Sequence, residues 1–218
     1  MRSPVQTRSQ VGTPRSKRIL DLAVTLPLLG VLSPLLVLIA FAIKATSRGP
    51  VLFHQPRVGL RDEPFTMVKF RSMIVNAPSD DRAHREAIRA ELAGTREPQS
   101  ASFKLADDPR VTRVGRVIRA SSLDEITQLF NVVRGDMSLV GPRPALDWEA
   151  EAFPPEYRRR TDVLPGITGL WQVSGRSHVS TMEMLRLDLE YVDRRSLWLD
   201  IKILVRTIPV VIRGDGAR

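Results

Sequence analysis

The sequence predicts a mainly helical α+β protein that is attached to a membrane near its N-terminus. Three observations support this prediction. Residues 22–43 form an apolar stretch without a charged residue, which is long enough to cross a bilayer as a helix. Two strand-like segments within residues 51–70 flank a turn. Residues 181–213 carry helical apolar patterns. We therefore expect a membrane helix, a small β-hairpin and interfacial amphipathic helices.

The composition narrows the range of functions. The chain has 218 residues, with 33 Lys and Arg against 24 Asp and Glu, and a net charge of +9. This balance favours anionic partners such as nucleic acid, anionic lipid or a phosphorylated substrate. The absence of cysteine excludes disulfides, thiolate catalysis and cysteine-based zinc sites. His54, His84 and His178 are far apart and lack metal-ligand spacing, so we interpret them as structural or surface residues.

Residues 1–18 are predicted to form a disordered basic arm. They are polar and contain five basic residues and no acidic residue, a composition that cannot bury a core. The arm could pair with anionic headgroups, where each cation contributes about 1 kcal/mol. A solvated tail explains the same composition.

Residues 19–48 are predicted to form a re-entrant membrane helix. Ser33 and Pro34 lie near the middle of the apolar stretch, and a proline there removes a backbone hydrogen bond and kinks the axis. Basic residues flank the stretch on both sides, at positions 17, 18, 44 and 48, although a spanning helix usually has only one basic side. A helix hairpin broken at Ser33-Pro34 satisfies both facts. A kinked transmembrane span and a buried soluble hairpin remain alternatives.

Residues 49–218 are predicted to form the catalytic domain, which begins with a β-hairpin. The segments VLFHQ and PFTMVKF flank a turn at residues 56–63. The second strand ends at Lys69-Phe70-Arg71, where two cations enclose an aromatic residue. One interpretation of Lys69 and Arg71 is a diphosphate clamp. The other is a basic sheet edge that blocks aggregation.

Residues 77–118 show few signs of chemistry. Residues 77–100 are charged and compatible with a helix, and we interpret them as a solvated helix within an insertion. Asp107-Asp108-Pro109 is typical of a turn. The same carboxylates could hold a cation, but we favour the turn.

The strongest candidate for chemistry is the carboxylate pair Asp124-Glu125, which opens a predicted helix. Arg119, Arg134 and Arg143 bracket the pair in the sequence. The pair has a structural explanation as well, because residues 122–125 match the capping box S-x-x-E. Capping does not account for the surrounding arginines. A helix N-terminus also attracts phosphate, and a carboxylate held there stays ionised, as a nucleophile must.

A loop rich in glycine and proline follows the carboxylate pair by one helix. Its sequence, Gly141-Pro-Arg-Pro144, predicts a rigid loop that presents Arg143. The planar guanidinium forms paired hydrogen bonds with phosphate. We therefore assign Arg143 to phosphate binding.

A second loop, residues 162–177, contains Trp171 and Arg176. Loops of this length without strong periodicity are often functional. Trp171 is explained as a core anchor or as a surface that stacks on a base. Arg176, between glycine and serine, could reach a phosphate.

Two helices are predicted at the C-terminal end. Residues 181–194 place Met184, Leu187 and Tyr191 on one face. Residues 196–213 are apolar with scattered charges, which suits an interfacial amphipathic helix with Trp198 at headgroup depth. A core helix that docks on the domain is the alternative.

Six motifs in this order resemble the bacterial sugar transferases, which are monotopic polyprenyl-phosphate phosphoglycosyl transferases. The resemblance covers about residues 17–213, and the absence of a long N-terminal domain suggests a catalytic-domain-only form. The motifs are KRILDL followed by the apolar run; GPVLFHQPRVG; KFRSM; RASSLDEITQLFNVVRGDMSLVGPRP; PGITGLWQVSGR; and LDLEYV. Each motif is weak alone, whereas the combination is specific.

The resemblance implies a chemical mechanism. Asp124 would attack the sugar-bearing phosphate of a UDP-sugar, release UMP and hold the phosphosugar covalently. Polyprenyl (undecaprenyl) phosphate would then take the phosphosugar. Glu125 would assist, either as a Mg²⁺ ligand beside Asp124 or by activating the acceptor. Lys69, Arg119 and Arg143 would hold phosphates.

The resemblance also implies a location and partners. Both ends of the re-entrant helix would lie on the cytoplasmic face of the bacterial inner membrane. The partners would be the UDP-sugar, undecaprenyl phosphate and membrane lipid, with no nucleic acid. The alternatives are a membrane glycosyltransferase that releases UDP and a non-catalytic basic membrane adaptor. The sequence does not identify the sugar or the glycan pathway, and it leaves open whether the protein forms a homodimer.

Overall fold

The structure, a computed structural model, describes residues 13–75, 82–95, 109–175 and 179–213. It is mainly helical, with two small two-stranded sheets, as the sequence predicts for the fold class. The helices are α1 (Arg15–Thr46), α2 (Arg82–Leu92), α3 (Arg113–Ala120), α4 (Leu129–Arg134), α5 (Asp147–Ala152), α6 (Leu170–Val173), α7 (Thr181–Arg194) and α8 (Leu197–Arg213). The strands are β1 (Leu52–Val58), β2 (Pro64–Phe70), β3 (Ser138–Val140) and β4 (Gly166–Thr168).

Helix α1 contains the predicted membrane segment and begins before it. Because the helix starts at Arg15, the boundary predicted at residue 18 falls inside it. The helix is continuous across Ser33-Pro34, so the predicted break into a hairpin is not seen. Pro34 lacks the N–H that would bond the Gly30 carbonyl. The Ser33 hydroxyl donates to that carbonyl instead, at 2.8 Å, which helps to maintain the helix.

The N-terminal end of α1 is held on the body by a buried cation. Lys17 Nζ donates to Asp200 Oδ2 at 2.8 Å, to the Tyr191 hydroxyl at 3.2 Å and to the Val140 carbonyl at 3.0 Å. The Tyr191 hydroxyl donates to Asp200 Oδ1 at 2.8 Å. Burial, together with the adjacent Asp200 carboxylate, raises the pKa of Tyr191, so the phenol stays a donor. Lys17 is therefore a structural residue and not part of a disordered arm.

Two further polar side chains hold the same end of α1. The Arg18 guanidinium donates to the carbonyls of Val132 and Val133 in the last turn of α4. The Asp21 carboxylate accepts from the Leu139 N–H at 3.1 Å and from a serine hydroxyl of β3 at 3.0 Å. The KRILDL motif thus fixes the start of α1 to α4 and β3.

The C-terminal end of α1 is attached to the same body. Arg71, which directly follows β2, donates to the Ser47 carbonyl at 3.0 Å and to the Arg48 carbonyl at 2.7 Å. Ile43 packs with Phe70 and Ile118 in one core cluster. Among the described residues, α1 is the one helix long and apolar enough to cross a membrane.

The predicted β-hairpin is confirmed. Strands β1 and β2 pair antiparallel, with Leu52 opposite Phe70 and Val58 opposite Pro64. A short 3-10 turn at Leu60–Asp62 joins them. Arg61 and Asp62 have φ angles of 57° and 66°, so their backbone is in the left-handed region, which residues other than glycine seldom adopt.

A parallel pair, β3 and β4, was not predicted. Each strand has three residues, too few to produce a periodic signal. The chain segments approach closely because two motif residues are glycines. A Cβ at Gly141 would lie 2.4 Å from the Leu164 carbonyl oxygen, and one at Gly166 would lie 2.1 Å from the Gly141 nitrogen. Any other residue would push these segments apart.

The core consists of three clusters of buried apolar residues. One joins β2, α4, β3, α7 and α8, and includes Val132, Met137, Tyr191 and Ile203. Trp171 is 3% exposed and belongs to the second cluster, which favours the core-anchor interpretation over a base-stacking surface. The third cluster is the one that contains Ile43.

Helix α2 is more than a solvated helix. Its Glu91 accepts hydrogen bonds from the N–H and the hydroxyl of Thr181, at 2.7 and 2.9 Å. Ala87 and Ile88 are buried. Helix α2 is therefore docked on the start of α7, since the Glu91 side chain satisfies a donor at that helix end.

Candidate active site

The carboxylate pair lies beside β2. Lys69 Nζ is 3.2 Å from Glu125 Oε1, and the two side chains are 19% and 38% exposed. Asp124 is half-buried next to Glu125. The structure therefore joins two residues that were predicted separately, a cation from the hairpin and a carboxylate from the central motif.

The capping box predicted at residues 122–125 does not form. Ser122 has φ 54° and ψ 19°, and its side chain makes no capping hydrogen bond. Its main-chain carbonyl accepts from the Glu125 N–H at 3.2 Å, so a 3-10 helix, Leu123–Gln128, begins there. The Glu125 side chain, which a capping box would turn back towards Ser122, contacts Lys69 instead. The structural explanation of the pair is wrong in this respect.

Two polar residues that follow the pair fix it to β2. The Asn131 side chain accepts from the Val68 N–H at 3.0 Å and donates to the Thr66 carbonyl at 2.7 Å. The Thr127 hydroxyl donates to the Val68 carbonyl at 3.0 Å. Sequence reasoning missed both residues. The sequence signal that could have identified them is a pair of polar residues four positions apart in a mostly apolar helical segment, because this spacing places both on one helix face.

The bracketing arginines occupy different positions. Arg119 is half-buried at the end of α3, and its carbonyl accepts from the Ser122 N–H at 3.2 Å. Arg119 thus lies at the turn that leads into the carboxylate pair. Arg134 is exposed in the last turn of α4.

The loop that carries Arg143 is held by main-chain hydrogen bonds on both sides. The Gly141 N–H donates to the Thr168 carbonyl at 2.9 Å, and the Gly166 N–H donates to the Pro142 carbonyl at 2.8 Å. These bonds join the loop to β4. They are consistent with the rigid loop that its glycine and prolines predict.

Two buried arginines hold the same loop from behind. Arg160 Nη2 donates to the Arg143 carbonyl at 2.7 Å, and Arg57 Nη1 donates to the Pro144 carbonyl at 3.1 Å. Arg160 is itself bound to Asp188, with Nη2 2.6 Å from Oδ2. The Arg143 side chain is therefore presented from a fixed backbone.

One predicted phosphate ligand, Arg71, is directed to another part of the molecule. Arg71 is buried, and its guanidinium bonds the carbonyls after α1. That structural use differs from the predicted diphosphate clamp, so we leave Arg71 out of the phosphate-binding set. Arg176 lies outside the described residues, as do Asp107 and Asp108.

The residues present fit a magnesium ion that is shared with a substrate. In the described part of the chain, no group of three or more His, Asp or Glu side chains could enclose a metal. Mg²⁺ is usually held by one or two carboxylates together with substrate phosphates. Asp124 and Glu125 supply such a pair.

The profile of the family described as "Bacterial sugar transferase" matches residues 13–214. The match covers α1, the hairpin, the carboxylate pair, the Arg143 loop and α8. The chain belongs to the bacterial sugar transferase family.

Three relatives illustrate the similarity. The UDP-galactose-lipid carrier transferase of Erwinia amylovora is 44% identical over 201 residues, which are 92% of this chain and 41% of that protein. The UDP-glucose:undecaprenyl-phosphate glucose-1-phosphate transferase of Caulobacter vibrioides is 42% identical over 216 residues, 95% of this chain and 74% of that protein. The exopolysaccharide production protein ExoY of Sinorhizobium fredii is 39% identical over 202 residues, 93% of this chain and 88% of that protein.

The relatives differ in length. This chain spans less than half of the Erwinia protein but most of the Caulobacter and Sinorhizobium proteins. The family match over residues 13–214 includes all six motifs described above.

Proposed function

We propose that this protein transfers a sugar-1-phosphate from a UDP-sugar to undecaprenyl phosphate, as the first membrane step of exopolysaccharide, O-antigen or glycan synthesis. The observation that carries the proposal is the Lys69–Glu125 contact at 3.2 Å, which lies beside Asp124 within a chain of this family. The names of the Caulobacter and Erwinia relatives support the same class of reaction.

In the first step, an Asp124 carboxylate oxygen attacks the phosphorus that bears the sugar. The bond between this phosphorus and the bridging oxygen breaks, and UMP leaves with that oxygen. The phosphosugar remains bonded to Asp124. Lys69, Arg119 and Arg143 would offset the charge of the diphosphate, which would otherwise repel the attacking carboxylate.

In the second step, an oxygen of undecaprenyl phosphate attacks the same phosphorus. The bond to Asp124 breaks, the carboxylate is restored, and undecaprenyl-diphospho-sugar is formed. Two steps through one aspartate allow a single site to serve two phosphate substrates in turn. Mg²⁺, held by Asp124 and Glu125, would supply further positive charge at the phosphates.

The site would lie at the cytoplasmic face of the bacterial inner membrane. Both ends of α1 are attached to the same body, through Lys17 at the start and Arg71 after the end. These two attachments support a helix that keeps both of its ends on one side of the bilayer. Its middle exposes large apolar side chains, including Val31 at 77% and Val37 at 69%, which favours burial in lipid without a full span.

Helix α8 supports the same placement. Asp200 and Ile203 face the body and are buried, while an opposite apolar face is exposed. Trp198, Ile201 and Val205 belong to that face. An exposed apolar helix face that carries a tryptophan is typical of the membrane interface. We propose that α1 and α8 together embed the protein in one leaflet.

The reaction is tested by measuring the nucleotide that is released. Purified protein in nanodiscs is mixed with Mg²⁺, undecaprenyl phosphate and a panel that begins with UDP-glucose and UDP-galactose, and UMP and UDP are quantified separately. We expect release of UMP that requires the lipid phosphate. Asp124→Asn should fold and release none, whereas the exposed Asp193→Asn should behave as wild type. Release of UDP would contradict the proposal in favour of a glycosyltransferase.

A further inference from the structure

A cavity of about 300 Å³ lies between the turn of the hairpin, the Arg143 loop, α5 and the 3-10 helix Pro155–Asp162. Pro142 and Arg143 of the Arg143 loop line the cavity, whereas Asp124 and Glu125 do not. The cavity is therefore adjacent to one end of the proposed phosphate site and separate from the nucleophile.

The lining of the cavity combines apolar and charged side chains. Val58, Phe153 and Pro165 are among the apolar residues. The charged residues are three carboxylates, including Asp147 on α5, and three arginines, and Tyr157 provides a half-buried aromatic ring. Carboxylates can accept hydrogen bonds from the hydroxyl groups of a ligand, and the tyrosine ring can pack on the ligand's apolar face. This combination is suited to a sugar ring that carries a diol.

The walls of the cavity are preformed. Arg160 lies over the Phe153 ring, with 5.2 Å between the guanidinium carbon and the ring centroid. The same arginine is fixed by Asp188 and by the Arg143 carbonyl. A ligand that enters the cavity does not need to order these residues, so less of its binding energy is lost.

Arg143 connects the cavity to the proposed reaction. If its guanidinium binds the diphosphate of the donor, a ring joined to that diphosphate lies within reach of the cavity. The volume is at the lower end of the range for ligand pockets, about 300 to 1,000 Å³. It therefore fits one ring of the donor better than a complete nucleotide sugar.

The lipid substrate fits the cavity less well. Its chain would need an opening towards the membrane, yet no described residue of α1 or α8 lines the cavity.

We propose that this cavity binds a hydroxyl-bearing ring of the sugar-nucleotide donor, either the ribose or the transferred hexose, and that Asp147 and Tyr157 contact that ring. The inference rests on the proposed function, since it takes a sugar nucleotide as the donor. It adds a donor-binding region that does not contain the nucleophile.

The test measures binding in a protein that cannot turn over. Full-length Asp124→Asn protein in nanodiscs is titrated with UMP, UDP-glucose and UDP-galactose, with and without Asp147→Asn or Tyr157→Ala. The exposed Asp193→Asn and Glu156→Ala serve as matched controls. Loss of a hydrogen bond to a charged group predicts affinity that is weaker by about tenfold or more.

The outcomes separate the two rings. Weaker binding of UMP as well as of a UDP-sugar supports ribose in the cavity. Unchanged binding of UMP with weaker binding of a UDP-sugar supports the hexose. The inference is overturned if all three probes bind both cavity variants with unchanged affinity. It is also overturned if none of the probes binds the Asp124→Asn protein with an unaltered cavity. Lipid-dependent release of UMP by the wild-type protein tests the proposed function separately, because it does not depend on where the rings lie.

Discussion

The Asn131 side chain occupies the open edge of β2, where its Oδ1 accepts a hydrogen bond from the Val68 N–H at 3.0 Å. Strand β2 pairs with β1 on its other side, so Asn131 and Thr127 bond main-chain groups that a third strand would otherwise satisfy. Because Lys69 follows Val68 and the carboxylate pair precedes Thr127, these bonds fix the spacing between the cation and the pair.

We predict that Asn131→Leu lowers both stability and turnover. The change leaves the Val68 N–H and the Thr66 carbonyl without this partner in a buried place, which costs about 1–3 kcal/mol for each group. Thr127→Val should have the same effect on turnover at a smaller cost in stability. Unfolding in detergent and release of UMP are measured, with the exposed Ser121→Ala as control. Normal turnover in folded variants of both residues would show that these bonds do not position the carboxylates.

We predict that Lys69 and Glu125 act as a unit. Each of Lys69→Met and Glu125→Gln should slow the release of UMP. The double variant should be slowed by much less than the product of the two single effects, because residues in contact couple by about 0.5–3 kcal/mol. The measurement is a double-mutant cycle on kcat with a saturating donor. Multiplicative effects would mean that the 3.2 Å contact has no catalytic role.

We predict that Lys17→Met destabilises the protein strongly. It removes the buried cation 2.8 Å from Asp200, and breaking a buried ion pair on one side costs about 3–5 kcal/mol. The double variant Lys17→Met with Asp200→Asn should recover part of the loss, since the Asp200 charge is then no longer left without its cation. Lys44→Met, at the exposed end of α1, is the control. Equal unfolding midpoints for the variants of Lys17 and Lys44 would contradict the anchoring role.

We predict that both ends of α1 are accessible from the cytoplasm. Since the chain has no cysteine, a single cysteine at Val5 or at Arg48 reports its own location. A membrane-impermeant maleimide should label each one in inside-out vesicles and neither one in spheroplasts. Labelling of residue 5 in spheroplasts would indicate a helix that spans the membrane.

The role of Ser33 and Pro34 is tested separately in the Val5→Cys protein. Replacement of both residues by alanine restores a regular backbone hydrogen-bond pattern. Labelling of residue 5 in spheroplasts would then mean that these two residues keep the start of α1 on the cytoplasmic side. An unchanged label would mean that the buried contacts of Lys17 and Asp21 suffice to keep the start of α1 on the body.

Much of the local structure follows from the sequence alone. The bounds predicted for α7, 181–194, agree with those in the structure, and those predicted for α8 begin one residue early. The hairpin was expected from its two segments and their turn. These features depend on periodicity and on turn residues, which act between neighbours in the chain. The carboxylate pair was likewise recognised because its motif is contiguous.

Partners that are distant in the sequence were decided by the tertiary structure. Lys69 and Glu125 are 56 residues apart, and Lys17 and Asp200 are 183 apart. The sequence does not distinguish a charged side chain that faces solvent from one that faces a buried partner. For this reason the composition of the first 18 residues predicts a disordered arm. Arg71 was assigned to phosphate for the same reason, although packing directs it to the end of α1.

The sequence by itself determined the apolar segment, the hairpin and the position of the candidate carboxylate pair, because each is encoded in a contiguous pattern. The tertiary structure alone decided that Lys69 faces Glu125, that Asn131 completes the edge of β2 and that the Ser122 side chain does not cap a helix. The physical reason is that a hydrogen bond or ion pair depends on distance through space. That distance is fixed only when β2 and α4 pack around their shared core.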